Sequence, residues 1–191
     1  MRLFYLLRLC LVLFVAGLVS CRTASSDKDG ATAMANPAEV ATTTVYLVRH
    51  AEKDISDPAN QDPDLTETGK ARAEALRELL KGQEVNALYA TKYIRTQNTL
   101  KPLADERKLD VIRYEAHDFI GLFEKIKQQH PGQVVVVAGH SNTILPLVEA
   151  FGAERPIPEI ADNQYDYLFK VQLNGSDKAT VEMSQFGSPS N

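Results

Sequence analysis

The sequence predicts an α/β fold, a three-layer α/β/α sandwich around a mostly parallel central sheet. Three observations point there. Short β-branched runs alternate with longer stretches whose apolar residues recur at helical spacing. The intervening helices serve as crossovers between parallel strands, which places them on both faces of the sheet. Four consecutive valines at 134–137 have the composition of a strand buried on both sides. With 191 residues, 44% of them hydrophobic, the chain can bury one substantial core, so a single domain with an additional segment is expected.

The additional segment is N-terminal. Residues 1–20 carry Arg2 and Arg8, no acid, and an apolar run at 9–19, the layout of a secretory signal. That run is shorter than the roughly 20 residues a spanning helix requires. The sequence Leu18-Val19-Ser20-Cys21 resembles the lipobox of bacterial lipoproteins, which implies acylation of Cys21, an exported protein and a lipid anchor in a bacterial membrane. The same resemblance implies, for a double-membraned bacterium, that Arg22 after that cysteine leans toward the outer membrane or periplasmic face. Residues 21–42, rich in Ser, Thr, Ala, Asp and Lys with Pro37, read as the lipidated Cys and a flexible tether. The folded domain is then 43–191. Cys10 is lost with the signal, which leaves no thiol pair for a disulfide or a thiolate metal site. Removing Arg2 and Arg8 reduces 21 basic residues to 19 against 25 acidic, a net charge of −6 that disfavours nucleic acid as a partner.

Within the domain, 43–48 is the first strand, stopping at Arg49 and His50, and the Asp- and Pro-rich stretch 51–64 is a loop. A helix follows over about 67–81, with Thr66 as N-cap, an apolar stripe of Ala73, Leu76, Leu79 and Leu80, and Gly82 as its stop. Residues 86–90 form a strand, 93–107 a helix, 111–114 a strand and 119–129 a helix ended by Pro131 and Gly132. Strand 133–138 runs through Gly139 and His140 into a helix beginning near Asn142, and 167–173 and 179–183 close the sheet around a turn at 174–177. Ligands of such sheets bind beyond the carboxyl ends of the strands. Arg49, His50 and His140 occupy such ends, and Arg95 lies one helical turn beyond another.

The segments VYLVRHAEK (45–53), ATKYIRTQNT (90–99) and VVVVAGHSN (134–142) resemble the three signatures of the histidine phosphatase superfamily, the phosphoglycerate mutase-like fold. The resemblance covers about 43–150 and continues more loosely to the end. It implies that His50 is the phosphoryl-accepting nucleophile and that Arg49, Arg95 and His140 form the phosphate pocket. The chemistry agrees. A neutral imidazole attacks through a free ring nitrogen when its other N–H is held by an acceptor such as a backbone carbonyl. Guanidinium forks suit the equatorial oxygens of a transferring phosphoryl group. With that charge met by side chains, no metal and no cofactor is implied.

Either Glu115 or Asp118 is the candidate general acid; Asp118 also suits an N-cap. Glu52 and Lys53 either line the pocket mouth, with Lys53 attracting an anion, or form a solvated charged pair. Asn142 is read as a helix cap, with pocket contact by Ser141 or Asn142 as the alternative. His130 is structural, at a helix end, and His117 is left undecided.

The expected activity is a metal-independent phosphatase with a phosphohistidine intermediate, acting on a phosphorylated small molecule or a phosphoprotein. Only 45 residues separate Arg95 from His140, too few for a large capping insertion, so the pocket should be open. Two alternatives stay open: a phosphoglycerate mutase-type phosphotransferase, which export disfavours, and a non-catalytic module that binds a phosphorylated ligand.

Overall fold

The computed structural model describes residues 41–175 and 178–190. The expected signal sequence, Cys21 and nearly all of the expected tether therefore lie outside the described residues, as do Ser176 and Asp177 of the turn expected at 174–177. Among the described residues no helix is long and apolar enough to cross a membrane.

Ten elements follow in chain order: β1 (Thr43–Arg49), α1 (Glu67–Leu79), β2 (Val85–Ala90), α2 (Ile94–Arg107), β3 (Val111–Arg113), α3 (Phe119–Gln129), β4 (Val134–Gly139), α4 (Ser141–Ala150), β5 (Tyr167–Leu173) and β6 (Thr180–Gln185). They build one six-stranded sheet in the order β3-β2-β4-β1-β5-β6. The first four strands of that order are mutually parallel, and β5 and β6 complete the sheet antiparallel. The four-valine strand is central, as its composition predicted.

Alternation along the strands separates two cores. Val45, Leu47, Tyr89, Val135, Val137 and Phe169 face Leu122, Ile126, Ile144 and Leu147 of α3 and α4. Tyr46, Val48, Leu88, Val136 and Leu168 face Leu76, Leu100 and Leu103 of α1 and α2. Successive strand residues point to opposite faces, so a strand buried on both sides needs apolar residues throughout, and β4 has them.

Helix starts mostly follow their caps. Thr66 Oγ1 accepts the Gly69 N–H at 3.0 Å at the head of α1, and Asp118 Oδ1 accepts the Gly121 N–H at 3.0 Å at the head of α3. Most boundaries fall within one residue of expectation, β6 runs to Gln185 where 183 was expected, and two differences have a local cause. Helix α1 ends at Leu79, two residues early, because its last turn tightens as Lys81 N–H reaches the Glu78 carbonyl, and Gly82 does not supply a left-handed stop. Helix α4 begins at Ser141 with His140 as N-cap, so Asn142 lies inside the first turn and does not cap it. The reason is the close return of the chain onto Gly139. A Cβ there would come within 3.0 Å of Thr143 Oγ1, Ile144 Cδ1 and the Tyr114 hydroxyl, and Thr143 Oγ1 accepts the His140 N–H at 2.9 Å.

Candidate active site

Two adjacent parallel strands set the two histidines side by side. Arg49 pairs in register with Gly139, and the His50 N–H donates to the Gly139 carbonyl at 2.9 Å. Each strand ends one residue before its histidine, so the rings of His50 and His140 meet edge to face, 5.4 Å between centroids. Arg95 enters from the first turn of α2, beyond the end of β2 on the far side of β4. The four residues read from the sequence do converge. They line one cavity of about 550 Å³ at the carboxyl edge of the sheet, together with Lys53, Glu115, His117, Asp118, Ser141 and Asn142.

The proton arrangement on each histidine follows from its neighbours. His50 Nδ1 lies 2.7 Å from the Ala51 carbonyl, which can only accept, so Nδ1 carries the proton and Nε2 is left with its lone pair. Burial pushes the His50 pKa down to about 3, outweighing the opposing effect of that bond, and the charges of Arg49 and Arg95 add to the depression. His140 Nε2 is 3.1 Å from Thr91 Oγ1. The Thr96 hydroxyl donates to the Tyr93 carbonyl at 2.8 Å, so in the 2.9 Å contact between Thr91 and Thr96 the donor is Thr91. Thr91 therefore accepts from His140 Nε2–H, and the proton of the neutral ring is spent there. His140 can donate to an anion only after taking up a second proton, which burial and the two arginines resist by holding its pKa near 4.

The arginines are prepared for an anion. Arg49 is buried and donates Nη1–H to the carbonyls of Ala161 and Gln164, both at 2.8 Å, while its Nε is buried with no partner. Arg95 Nε is likewise buried and unpaired. An unpaired buried guanidinium N–H costs stability unless something arrives to accept it. The backbone around them is cross-linked, with Ala51 N–H donating to Thr99 Oγ1 at 2.9 Å and the Thr99 hydroxyl donating to the Arg95 carbonyl at 2.7 Å. The residue after His50 and the backbone of Arg95 are thus tied through one threonine.

The remaining expectations divide. Lys53 lines the cavity, and its charge helps hold the His140 pKa down. Glu52 does neither thing expected of it. Its carboxylate clamps buried Arg72 through three contacts of 2.6–3.0 Å, the shortest an ion pair, because Arg72 projects from α1 to exactly that side of the loop. Ser141 and Asn142 line the pocket. Of the two candidate acids, Asp118 is engaged as the α3 cap, whereas the Glu115 carboxyl accepts no hydrogen bond from the described residues and remains available at the cavity wall. His130 is structural, its Nδ1 facing Gln133 Oε1 at 2.7 Å and its Nε2 facing the Tyr89 hydroxyl at 2.9 Å. His117 lies at the cavity rim, its ring against Phe119. Among the described residues no group of three His, Cys, Asp or Glu is placed to hold a metal ion.

Sequence reasoning missed Thr91, Tyr93, Thr99, Tyr114, Asp162 and Tyr165. Thr91 and Thr99 fall inside the quoted 90–99 segment, so their place beside Arg95 was a signal. Asp162 and Tyr165 come from the loop before β5, and nothing in that loop's composition marks it as part of the site.

A family model described as histidine phosphatase superfamily (branch 1) matches residues 45–117. None of the curated proteins matches the chain in sequence. Among solved structures, the chain is similar to the protein histidine phosphatase SixA complexed with tungstate, at 17% identity over 74% of this chain and 96% of that one, with a TM-score of 0.62. It is similar to YhfR of Bacillus stearothermophilus at 18% identity, 75% and 96% coverage and a TM-score of 0.58. A mycobacterial glucosyl-3-phosphoglycerate phosphatase aligns at 14% identity, over 77% of this chain and 99% of that one, with a TM-score of 0.57. At such identities the structures establish the common fold. The family match spans the strand bearing Arg49 and His50 and the helix bearing Arg95, and the solved structures share the fold around them.

Proposed function

We propose that the protein is a phosphatase that hydrolyses a phosphorylated substrate through a phospho-His50 intermediate. The observation that carries this is the free Nε2 of His50 beside two buried, unpaired arginine N–H groups. In the first step His50 Nε2 attacks phosphorus and the bond to the leaving oxygen breaks. The leaving oxygen takes the proton of Glu115, which is free to give it, while Asp118 stays committed to its helix. In the second step Glu115 takes a proton from water, whose oxygen attacks phosphohistidine to release inorganic phosphate and restore His50. Arg49 and Arg95 stabilise the equatorial oxygens in both steps, and His140 joins them as a donor once the bound dianion has raised its pKa. Several relatives of this fold are named as phosphatases of phosphohistidine or of a sugar phosphoglycerate, which is in keeping with a phosphorylated protein or small molecule as substrate.

The test is turnover of p-nitrophenyl phosphate by the full-length chain without added metal. His50→Ala is expected to abolish it; wild-type turnover in that variant overturns the mechanism. Glu115→Gln is expected to lower kcat by about 10²–10⁴-fold on an alkyl phosphate, whose leaving group needs a proton, and much less on p-nitrophenyl phosphate. Asp118→Asn keeps the cap and is expected to retain activity on both.

The membrane anchor is a separate proposal. It rests on residues 1–21 and is tested by labelling with radioactive palmitate in a bacterial host, where Cys21→Ser should abolish incorporation.

A further inference from the structure

Each arginine of the pocket lies over the face of a tyrosine. The Arg49 guanidinium carbon is 4.0 Å from the centre of the Tyr165 ring, and that of Arg95 is 4.3 Å from the centre of the Tyr93 ring. Three other guanidiniums are held differently: Arg72, Arg77 and Arg155 are each clamped by carboxylates at 2.6–2.7 Å. A carboxylate consumes N–H donors and cancels the charge. A ring face orients the guanidinium plane and attracts the cation, yet leaves the in-plane N–H edge free.

The hydrogen-bond pattern fits the second arrangement. Arg49 spends only Nη1 on the protein, and Nε of both arginines stays unpaired. The nearest carboxylate to Arg95, that of Asp62, stands 3.6 Å from Nη1 and directs its oxygens to the Ile94 N–H, at 3.0 and 3.3 Å. Each tyrosine also touches one histidine of the site. Tyr93 meets His140 edge-on at 5.3 Å, and Tyr165 lies 6.0 Å from His50.

We propose that Tyr93 and Tyr165 are positioning residues whose ring faces hold Arg95 and Arg49 with their N–H edges open to a tetrahedral oxyanion. This rests on the phosphoryl pocket proposed above and adds to it the groups that keep its two cations unneutralised. The two rings are fixed independently. Tyr93 is the N-cap residue of α2, two positions before Arg95. Tyr165 is set by its own N–H, which donates to Ser190 Oγ at 2.8 Å, and by Asp166, whose Oδ2 accepts from Gln185 Nε2 and the Ser190 N–H at 2.9 and 3.1 Å. Among the described residues neither phenol hydroxyl is hydrogen-bonded to protein, so the face is the working part and phenylalanine should replace it.

The experiment titrates tungstate into the full-length chain by calorimetry, for wild type, Tyr93→Phe, Tyr165→Phe, Tyr93→Leu, Tyr165→Leu and Arg49→Ala, with a thermal unfolding curve for each. The phenylalanine variants are expected to bind within about threefold of wild type, and each leucine variant about 5- to 30-fold more weakly. For the leucine variants kcat/KM on p-nitrophenyl phosphate should fall in step with affinity while the unfolding temperature holds. Leucine variants that bind as tightly as wild type, or phenylalanine variants as weak as leucine ones, overturn the proposal. Undiminished binding by Arg49→Ala instead removes the phosphoryl pocket on which it stands. If a leucine variant fails to fold, methionine at the same position keeps the bulk without the ring and is read the same way.

Discussion

The proton on His50 Nδ1 is held by the Ala51 carbonyl, and burial keeps a second proton off Nε2 down to about pH 3. The His50 ring is therefore neutral, with Nε2 unprotonated, throughout the neutral and mildly acidic range, the form the proposed mechanism requires. The acid limb of the kcat/KM profile should lie well below pH 6.5, the place an unperturbed histidine would put it, and a rate profile from pH 3.5 to 8 checks this. The same shifts bear on stability. Both histidines have folded pKa values below the unfolded 6.5, so below that pH the unfolded chain binds protons that the folded chain refuses. Stability should decline as pH falls from about 6.5 toward 4, and the unfolding temperature of a His50→Asn, His140→Asn double variant should decline less over that interval. The four principal residues were legible because each stands at a strand end or in a first helical turn within a recognisable segment. Glu52 and Asn142 were misread for a different reason. Their roles depend on which side chain arrives opposite them, Arg72 in one case and the folded-back Gly139–Thr143 turn in the other.

Helix α1 is the element that holds the loop after His50 from below. Thr66 N–H donates to the Glu52 carbonyl at 2.9 Å, and Gly69 lies so close that a Cβ would collide with that same carbonyl oxygen. Arg72 completes the attachment, with its guanidinium on Glu52 and Nη1–H on the Phe186 carbonyl at 2.9 Å. Arg72→Ala should cost about 3 kcal/mol in urea unfolding, the lower end for a broken buried pair, because Glu52 keeps 20% of its side-chain exposure and is partly solvated when abandoned. Gly69→Ala should cost about 1–3 kcal/mol by overpacking, although alanine has the higher helix propensity. Opposite signs for local preference and tertiary fit make this a sharp test of which prevails. The start of α1 was visible in the sequence as a threonine cap before an apolar stripe. Its dependence on Gly69 was not, since a glycine inside a helical pattern reads only as a weakness until the opposing backbone is seen.

For the molecule as a whole, the sheet separates the core into two layers with no shared helix. Leu100 of α2 and Ile144 of α4 are both fully buried, on opposite faces. Leu100→Ala should cost about 2–5 kcal/mol and Ile144→Val about 0.5–1.5. Urea unfolding of the double variant should return their sum to within about 0.5 kcal/mol, since the two cavities have no common wall. This architecture was readable from the sequence because it depends on local periodicity: alternating β-branched runs and helical stripes fix the element types, and crossover helices fix a mainly parallel sheet. Periodicity also placed Arg49, His50, Arg95 and His140 on one edge. It carries no information about which loops return to that edge. The segment before β5 brings Tyr165 beneath Arg49 and supplies the carbonyls of Ala161 and Gln164, and Arg49 reaches them across more than 100 residues of chain. The sequence by itself determined the layers, the edge and the charged groups that meet there. Only the tertiary structure decided which of those groups are free to bind and which are spent, because that depends on hydrogen-bond partners and ring faces brought together by folding.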